Sequence, residues 1–299
     1  MAPDSSPIVS LLVTGLSTGA VYGLMAIGLT LIFGVMRVIN FAHGTVIVFA
    51  MYVVIALYER GIDPYLSILI VAPAFFAFGV VLYKVALAPL VNRGSSHTSQ
   101  AVATLGVALI MVNLILVWEG AQSQVIRTAY STSTIGAGDV LVSVPRLIGF
   151  VASLLIAFGC YVLLRRTWVG LGIRATAQDQ QAAELSGVST RRANLIVFGL
   201  GTALAGIAAA LTMPFFAVSP NIDITLALTA YVVVVLGGLG SIGGAVVGGL
   251  LIGVIESFTA FYADPQLKEV AYLLVFVGVL IVRPSGLLGT RGYEALRDE

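Results

Sequence analysis

Residues 224–262 read ITLALTAYVVVVLGGLGSIGGAVVGGLLIGVIESFTAFY, with Glu256 as their only charge. A helix rises about 1.5 Å per residue and a hydrocarbon core is about 30 Å thick, so the run is too long for one simple crossing. Its centre, LGGLGSIGGAVVGG (236–249), is also too rich in glycine for a regular lipid-facing helix. Backbone groups bared to hydrocarbon would find no hydrogen-bond partner there. The run therefore divides into two short membrane segments hinged at Gly237–Gly244 and shielded by other helices. A chain that needs such shielding is a polytopic bundle.

Seven further stretches nearly free of charge supply the rest of it: 8–36, 38–58, 65–83, 98–118, 147–164, 193–218 and 270–282. The expected fold is all-α, a transmembrane bundle of eight or nine membrane segments forming a single domain over residues 1–299. Composition agrees. The chain is 59% hydrophobic and 10% charged, where soluble domains carry about 25% charged residues, and its mean hydropathy is +1.05. Run 8–36 would be about 43 Å long as one helix, so it tilts, protrudes or breaks, and Gly15, Gly19, Gly23 and Gly28 give it places to do so. The start, MAPDSSPIVSLL, lacks the basic region and cleavage site of a removable signal peptide. Cys160 sits in an apolar run as a small hydrophobe, and a net charge of +1 leaves no footprint for nucleic acid.

Arginine placement orients the bundle. The 165–192 loop, RRTWVGLGIRATAQDQQAAELSGVSTRR, sets five arginines against Asp179 and Glu184, for a net of +3. The 283–299 tail adds Arg283, Arg291 and Arg297. Both are expected in the cytoplasm. Alternation then places Arg37, the Lys84–His97 region and the glycine hinge at that same end, with the N-terminus and the 59–64, 119–146 and 263–269 loops outside.

Missing chemistry narrows the function. Lys84 and Lys268 are the only lysines, and neither sits in a P-loop. His43 and His97 lack metal-ligand spacing, and no nucleophile elbow occurs; no catalytic residue and no metal site is expected. Polar residues inside apolar runs are costly and often functional. In NFAHGT (40–45), Asn40 and His43 either cap a helix end near the interface or line a path or inner gate. Asn113 suits an interhelical hydrogen bond. Glu256 is either hydrated at the outer interface or part of an outer vestibule. The glycine segment serves close helix packing, a broken helix facing a polar conduit, or both.

Within the basic loop, RATAQDQQAAEL (174–185) is rich in helix formers, Gly187 is a natural stop, and Ser189 or Thr190 can cap the next span. One short helix along the cytoplasmic face is expected, with small alanines for close approach and Arg174, Asp179 and Glu184 as anchors. Its bland alternative is a solvated connector.

Four stretches carry a resemblance. GAVYGLMAIGLTLIFGVMRVINFAHG (19–44), RATAQDQQAAELSGVSTRRANLIVFGLGTALAGIAAAL (174–211), VLGGLGSIGGAVVGGLLIGVIES (235–257) and RPSGLLG (283–289) resemble the branched-chain amino acid ABC transporter permease family of the LivH type. The resemblance implies a permease subunit in a bacterial inner membrane, multi-pass with its C-terminus cytoplasmic, that alternates access without catalysing a reaction itself. It implies a second homologous, LivM-like permease, two cytoplasmic ATP-binding subunits that use ATP and magnesium, and an extracytoplasmic substrate-binding protein. No cofactor would be bound by this chain. Arg174, Ala175, Gln178, Asp179, Ala182, Ala183, Glu184, Leu185 and Gly187 would dock in the ATPase. Asn40, Phe41, His43 and Thr45, with Gly237, Gly238, Gly240, Ser241 and Gly244, would form the path or gate.

One position departs from the family pattern. The signature commonly continues NFAHGE, and this chain has Thr45. Substrates other than branched-chain amino acids therefore stay open: urea, short amides, and aromatic or organic carboxylates. An ion-coupled secondary transporter would need a membrane-embedded ionisable group, for which only His43 and Glu256 offer themselves; a passive urea or amide channel would need no coupling loop.

Overall fold

The structure, a computed structural model, describes residues 5–137 and 140–289. Arg291 and Arg297 of the basic tail lie outside the described residues. The helices are α1 (Ser5–Met36), α2 (His43–Tyr58), α3 (Pro64–Leu82), α4 (Ala88–Asn92), α5 (His97–Glu119), α6 (Val144–Arg166), α7 (Trp168–Gln178), α8 (Gln180–Leu185), α9 (Thr190–Thr212), α10 (Asp223–Gly237), α11 (Ile242–Tyr262) and α12 (Lys268–Val282). A π turn at Tyr83–Leu87 joins α3 to α4 as one run. Strands β1 (Thr134–Ala137) and β2 (Val140–Ser143) pair antiparallel between α5 and α6. Among the described residues, eight helical runs are long and apolar enough to cross a membrane, and the 16-residue α2 is apolar but shorter. The protein is an all-α, multi-pass membrane bundle.

Helix α1 forms its axis. It is continuous over 32 residues, so the glycines expected to let it break serve another end. Gly15, Gly19 and Gly23 recur every four residues and form one stripe. A Cβ on Gly19 would stand 2.5 Å from the Gly249 carbonyl oxygen, and one on Gly253 would stand 2.3 Å from that of Gly15. Backbone thus meets backbone along α1 and α11. In a bilayer, where burying apolar surface gains nothing over lipid, this close van der Waals contact is what associates helices.

Both ends assemble as alternation requires. At one end Tyr58 donates to the Arg127 carbonyl (2.6 Å), Tyr130 donates to Asp63 (2.7 Å), and Gln124 and Val218 exchange backbone bonds, so the 59–63, 120–133 and 213–222 connections share a cap. Burial first, then the Asp63 carboxylate, pushes the Tyr130 hydroxyl above its ordinary pKa. At the other, basic end, a cleft of about 790 Å³ gathers Arg37, Ser95 and His97 with residues 176–181.

Two single-residue expectations change. The Asn113 side chain is exposed and donates to the Leu109 carbonyl one turn back at 2.7 Å, because the face of α5 that carries it has no helix beside it. Of the two alternatives for Glu256, free hydration gives way: Lys268 Nζ donates to it at 2.7 Å, and it lines a cleft at that end.

Candidate functional site

Arg37 ends α1 with a φ of +54°, a left-handed conformation that side chains other than glycine rarely adopt. It turns the chain back into the bundle instead of along its surface. Residues 37–42 then run without helix until α2 begins at His43. Two contacts give the depth of that start. His43 Nε2 donates to the Met25 carbonyl at 2.9 Å, and Met25 lies eleven residues, about 16 Å, before the end of α1. Phe41 N–H donates to the Thr104 hydroxyl at 3.1 Å, and Thr104 is seven residues, about 10 Å, into α5. NFAHGT therefore lies inside the bundle, not at the interface that a simple helix cap would suit.

Irregular backbone at such depth must be satisfied by neighbours. Ala42 N–H donates to Asn40 Oδ1 (3.2 Å) and His43 N–H to the Asn40 carbonyl (3.1 Å). The Thr104 hydroxyl shares its one proton between the Ile39 and Ala101 carbonyls. Asn40, His43 and Thr45 are buried, whereas Phe41 is 43% exposed and its ring centroid is 6.0 Å from that of Tyr231 on α10. Among the described residues, His43 Nδ1 and Asn40 Nδ2 have no partner.

Opposite α2 stands the start of α10. Thr45 Oγ1 donates to the Asp223 carboxylate at 2.8 Å, and Gly44 lets the backbones meet, since a Cβ there would stand 2.2 Å from the Asp223 carbonyl oxygen. Two helix N-termini, each with unpaired amides and partial positive charge, converge on one carboxylate. Sequence reasoning missed Asp223. An acid three residues after Pro220 at the head of an apolar run was the available signal.

The glycine hinge is a second, separate place. Helices α10 and α11 flank residues 238–241; Gly238 and Gly240 take φ of +105° and +80°, and Ser241 caps α11 by accepting from Gly244 N–H at 3.0 Å. Gly237 and Gly244 face each other at backbone distance. The 283–289 segment returns to this hinge, with Leu287 N–H donating to the Leu236 carbonyl (2.8 Å) and Leu288 N–H to that of Gly237 (2.9 Å). Gly240 and Ser241 share a cleft of about 320 Å³ with Arg165, Arg174 and Leu288. Thus Arg174 shares a cleft with the hinge, Gly44 and Thr45 meet the other end of α10, and His43 bonds to α1.

The basic loop folds as two helices, not one. Asp179 breaks the expected helix with φ −154° and ψ 114°, then caps α8 by accepting from Ala182 N–H at 3.0 Å. Asp, which competes for backbone amides, suits a cap better than a helix interior. Arg174, Ala175 and Gln178 accordingly lie on α7, and Ala182, Ala183, Glu184 and Leu185 on α8. Ala183 is buried while Ala182 is exposed and Leu185 is 91% exposed. Gly187 ends the element with φ +83°, and Ser189 caps α9. Three ties hold α8 to the bundle: the buried Ala183 methyl, Gln180 donating to the Val35 carbonyl at 3.4 Å, and Thr190 donating to the Glu184 carboxylate.

Residues 11–282 match the model of the family described as branched-chain amino acid transport system / permease component. The high-affinity branched-chain amino acid transport system permease protein BraD of Pseudomonas aeruginosa is 32% identical over 93% of this chain and 94% of its own length. The protein LivH of Salmonella typhimurium, of the same description, is 31% identical over 92% and 93%. A probable branched-chain amino acid transport permease protein LivH of Methanocaldococcus jannaschii is 29% identical over 89% and 88%. No solved structure matches the chain.

Proposed function

Because the chain belongs to the branched-chain amino acid transport system permease family, we propose that it is the membrane-spanning subunit of an ABC importer for a branched-chain or related hydrophobic amino acid. It pairs with a homologous permease, receives cargo from an extracytoplasmic binding protein, and draws on two separate ATPases that use ATP and magnesium. The basic end faces the cytoplasm, since arginine-rich loops stay inside. The chain catalyses no reaction and binds no cofactor of its own.

One observation carries this reading: an exposed two-helix element at the basic end is tied directly to the bundle's interior. Leu185 and Ala182 offer an apolar knob to an ATPase groove. Movement of α8 pulls Val35 through Gln180 and the head of α9 through Glu184 and Thr190. Two residues beyond Val35, the chain turns at Arg37 and enters the 37–42 segment that sets the start of α2. A displacement at the surface thus reaches the α2–α10 junction through a few bonds, and the junction is the gate. Reconstitution in liposomes tests the proposal. Leucine uptake should require all four membrane and ATPase subunits, the binding protein and internal or external ATP on the ATPase side; transport by this chain alone without ATP would sink it.

A further inference from the structure

At the end opposite the basic loop, a cleft of about 340 Å³ opens between α1, α6 and α11, lined by Thr14, Thr18, Arg146, Glu256, Ser257 and Phe261. Some of its polar groups are already engaged. Lys268 donates to Glu256 at 2.7 Å, and the Ser257 hydroxyl donates to the Leu11 carbonyl at 2.9 Å. Arg146 differs. Among the described residues it forms no ion pair. Its guanidinium carbon lies 5.8 Å from the Phe215 ring centroid, an attraction that steadies a cation without using its N–H groups.

Its place in the helix sharpens the point. Arg146 is the third residue of α6, where the macrodipole opposes a cation and favours an anion, although Pro145 has no N–H and the Val144 N–H is taken by the Ser133 carbonyl at 3.0 Å. Glu256 lines the cleft with Arg146 and is shared with Lys268, so one carboxylate stands against two cations beside a positive helix end. A bound anion removes both costs together.

Depth selects what carries the anion. The cleft lies at helix ends: α6 begins there, and Glu256 and Phe261 belong to the last two turns of α11. Phe261 and Tyr262 are exposed on its rim, as aromatic side chains are at the headgroup level of a bilayer. On the walls of the cleft itself, Leu11 of α1 and Phe261 of α11 give an acyl chain apolar contact beside Arg146. We infer that this cleft binds the phosphate of a membrane phospholipid, with Arg146 as its charged ligand and Leu11 and Phe261 flanking the start of its acyl chain.

Thermal melting of the full-length chain in detergent tests this with two probes, dioctanoyl phosphatidylglycerol and dioctanoylglycerol, which lacks the phosphate. The phosphate-bearing lipid should raise the melting temperature at concentrations where dioctanoylglycerol does not. Arg146→Gln should weaken that response about tenfold, equivalent to about 1.4 kcal/mol, and Arg146→Lys should recover part of it. Native mass spectrometry should find a retained phospholipid on the wild type and not on Arg146→Gln. Equal responses to the two probes overturn the inference, and they do so even where the glutamine variant fails to fold. An unchanged lipid response in Arg146→Gln also overturns it, as does Arg146-dependent stabilisation by leucine with none by phosphatidylglycerol, which would make the anion a cargo carboxylate.

Discussion

The α2–α10 junction and the α7–α8 element both break a helix at a polar residue, yet they treat the break in opposite ways. At the junction the irregular segment is buried, its amides are met by Thr104 and Asn40, and Gly44 admits no side chain. At α7–α8 the break at Asp179 is exposed, capped locally, and followed by a glycine with open space around it. The first arrangement is rigid because hydrocarbon and protein offer no substitute partners. The second is held from its inner side by Ala183, Gln180 and Glu184 and leaves its outer surface free for another protein. The handle and the gate proposed for these two regions would make such contrasting demands.

Substitutions can break that contrast. The largest effect is expected from Gly44→Val, which forces backbone apart where a Cβ would already stand 2.2 Å from an oxygen. Overpacking costs about 1–3 kcal/mol in ordinary cores, and with backbone as the obstacle this variant should be lost from the folded fraction in size-exclusion profiles of detergent extracts. Next comes Leu185→Glu. Melting temperature and membrane abundance should match the wild type, while ATPase association and ATP-driven uptake fall about tenfold or more, as for loss of a central apolar anchor worth about 1.4 kcal/mol or above. Normal uptake in that variant would remove α8 from the coupling surface.

Thr45→Val acts on stability and is smaller than Gly44→Val, since shape is kept and only the hydrogen bond to Asp223 is lost. A hydrogen bond to a charged group contributes about 1.5–3 kcal/mol, so the expected loss is a clear drop in melting temperature with folding retained. Gly187→Ala should be smallest. Its φ of +83° costs an alanine about 1–2 kcal/mol, but nothing lies within 4 Å of the added methyl. If Gly187→Ala proved as damaging as Gly44→Val, the contrast between the two regions would fail.

Much of this architecture is legible in the amino-acid sequence. The hinge at Gly237–Gly244, the stop at Gly187 and the grouping of loops at two ends all follow from composition, periodicity and charge. The depth of NFAHGT does not. An apolar run from Val38 to Tyr58 looks like one span, and nothing local says that its first residues re-enter the bundle without helix. Asp179 is legible as an anchor and not as a break, because its neighbours are good helix formers whose preference a single cap overrides. Gly15, Gly19 and Gly23 look like weak points in a long helix. They become a contact surface once Gly249 and Gly253 stand opposite, and only the pairing of α1 with α11 brings them there.

Sequence by itself determined that this chain enters a membrane, where most of its membrane helices begin and end to within a few residues, and which end carries the arginines. These depend on local energetics: the cost of charge in hydrocarbon, of glycine in a helix, and of unsatisfied backbone amides. Tertiary structure alone decided that α2 starts in the interior, that Thr45 meets Asp223 178 positions away, and that the 283–289 segment closes over the hinge. Each of those is a contact between distant segments, and a side chain's partner across a bundle is set by how helices pack, which no short stretch encodes.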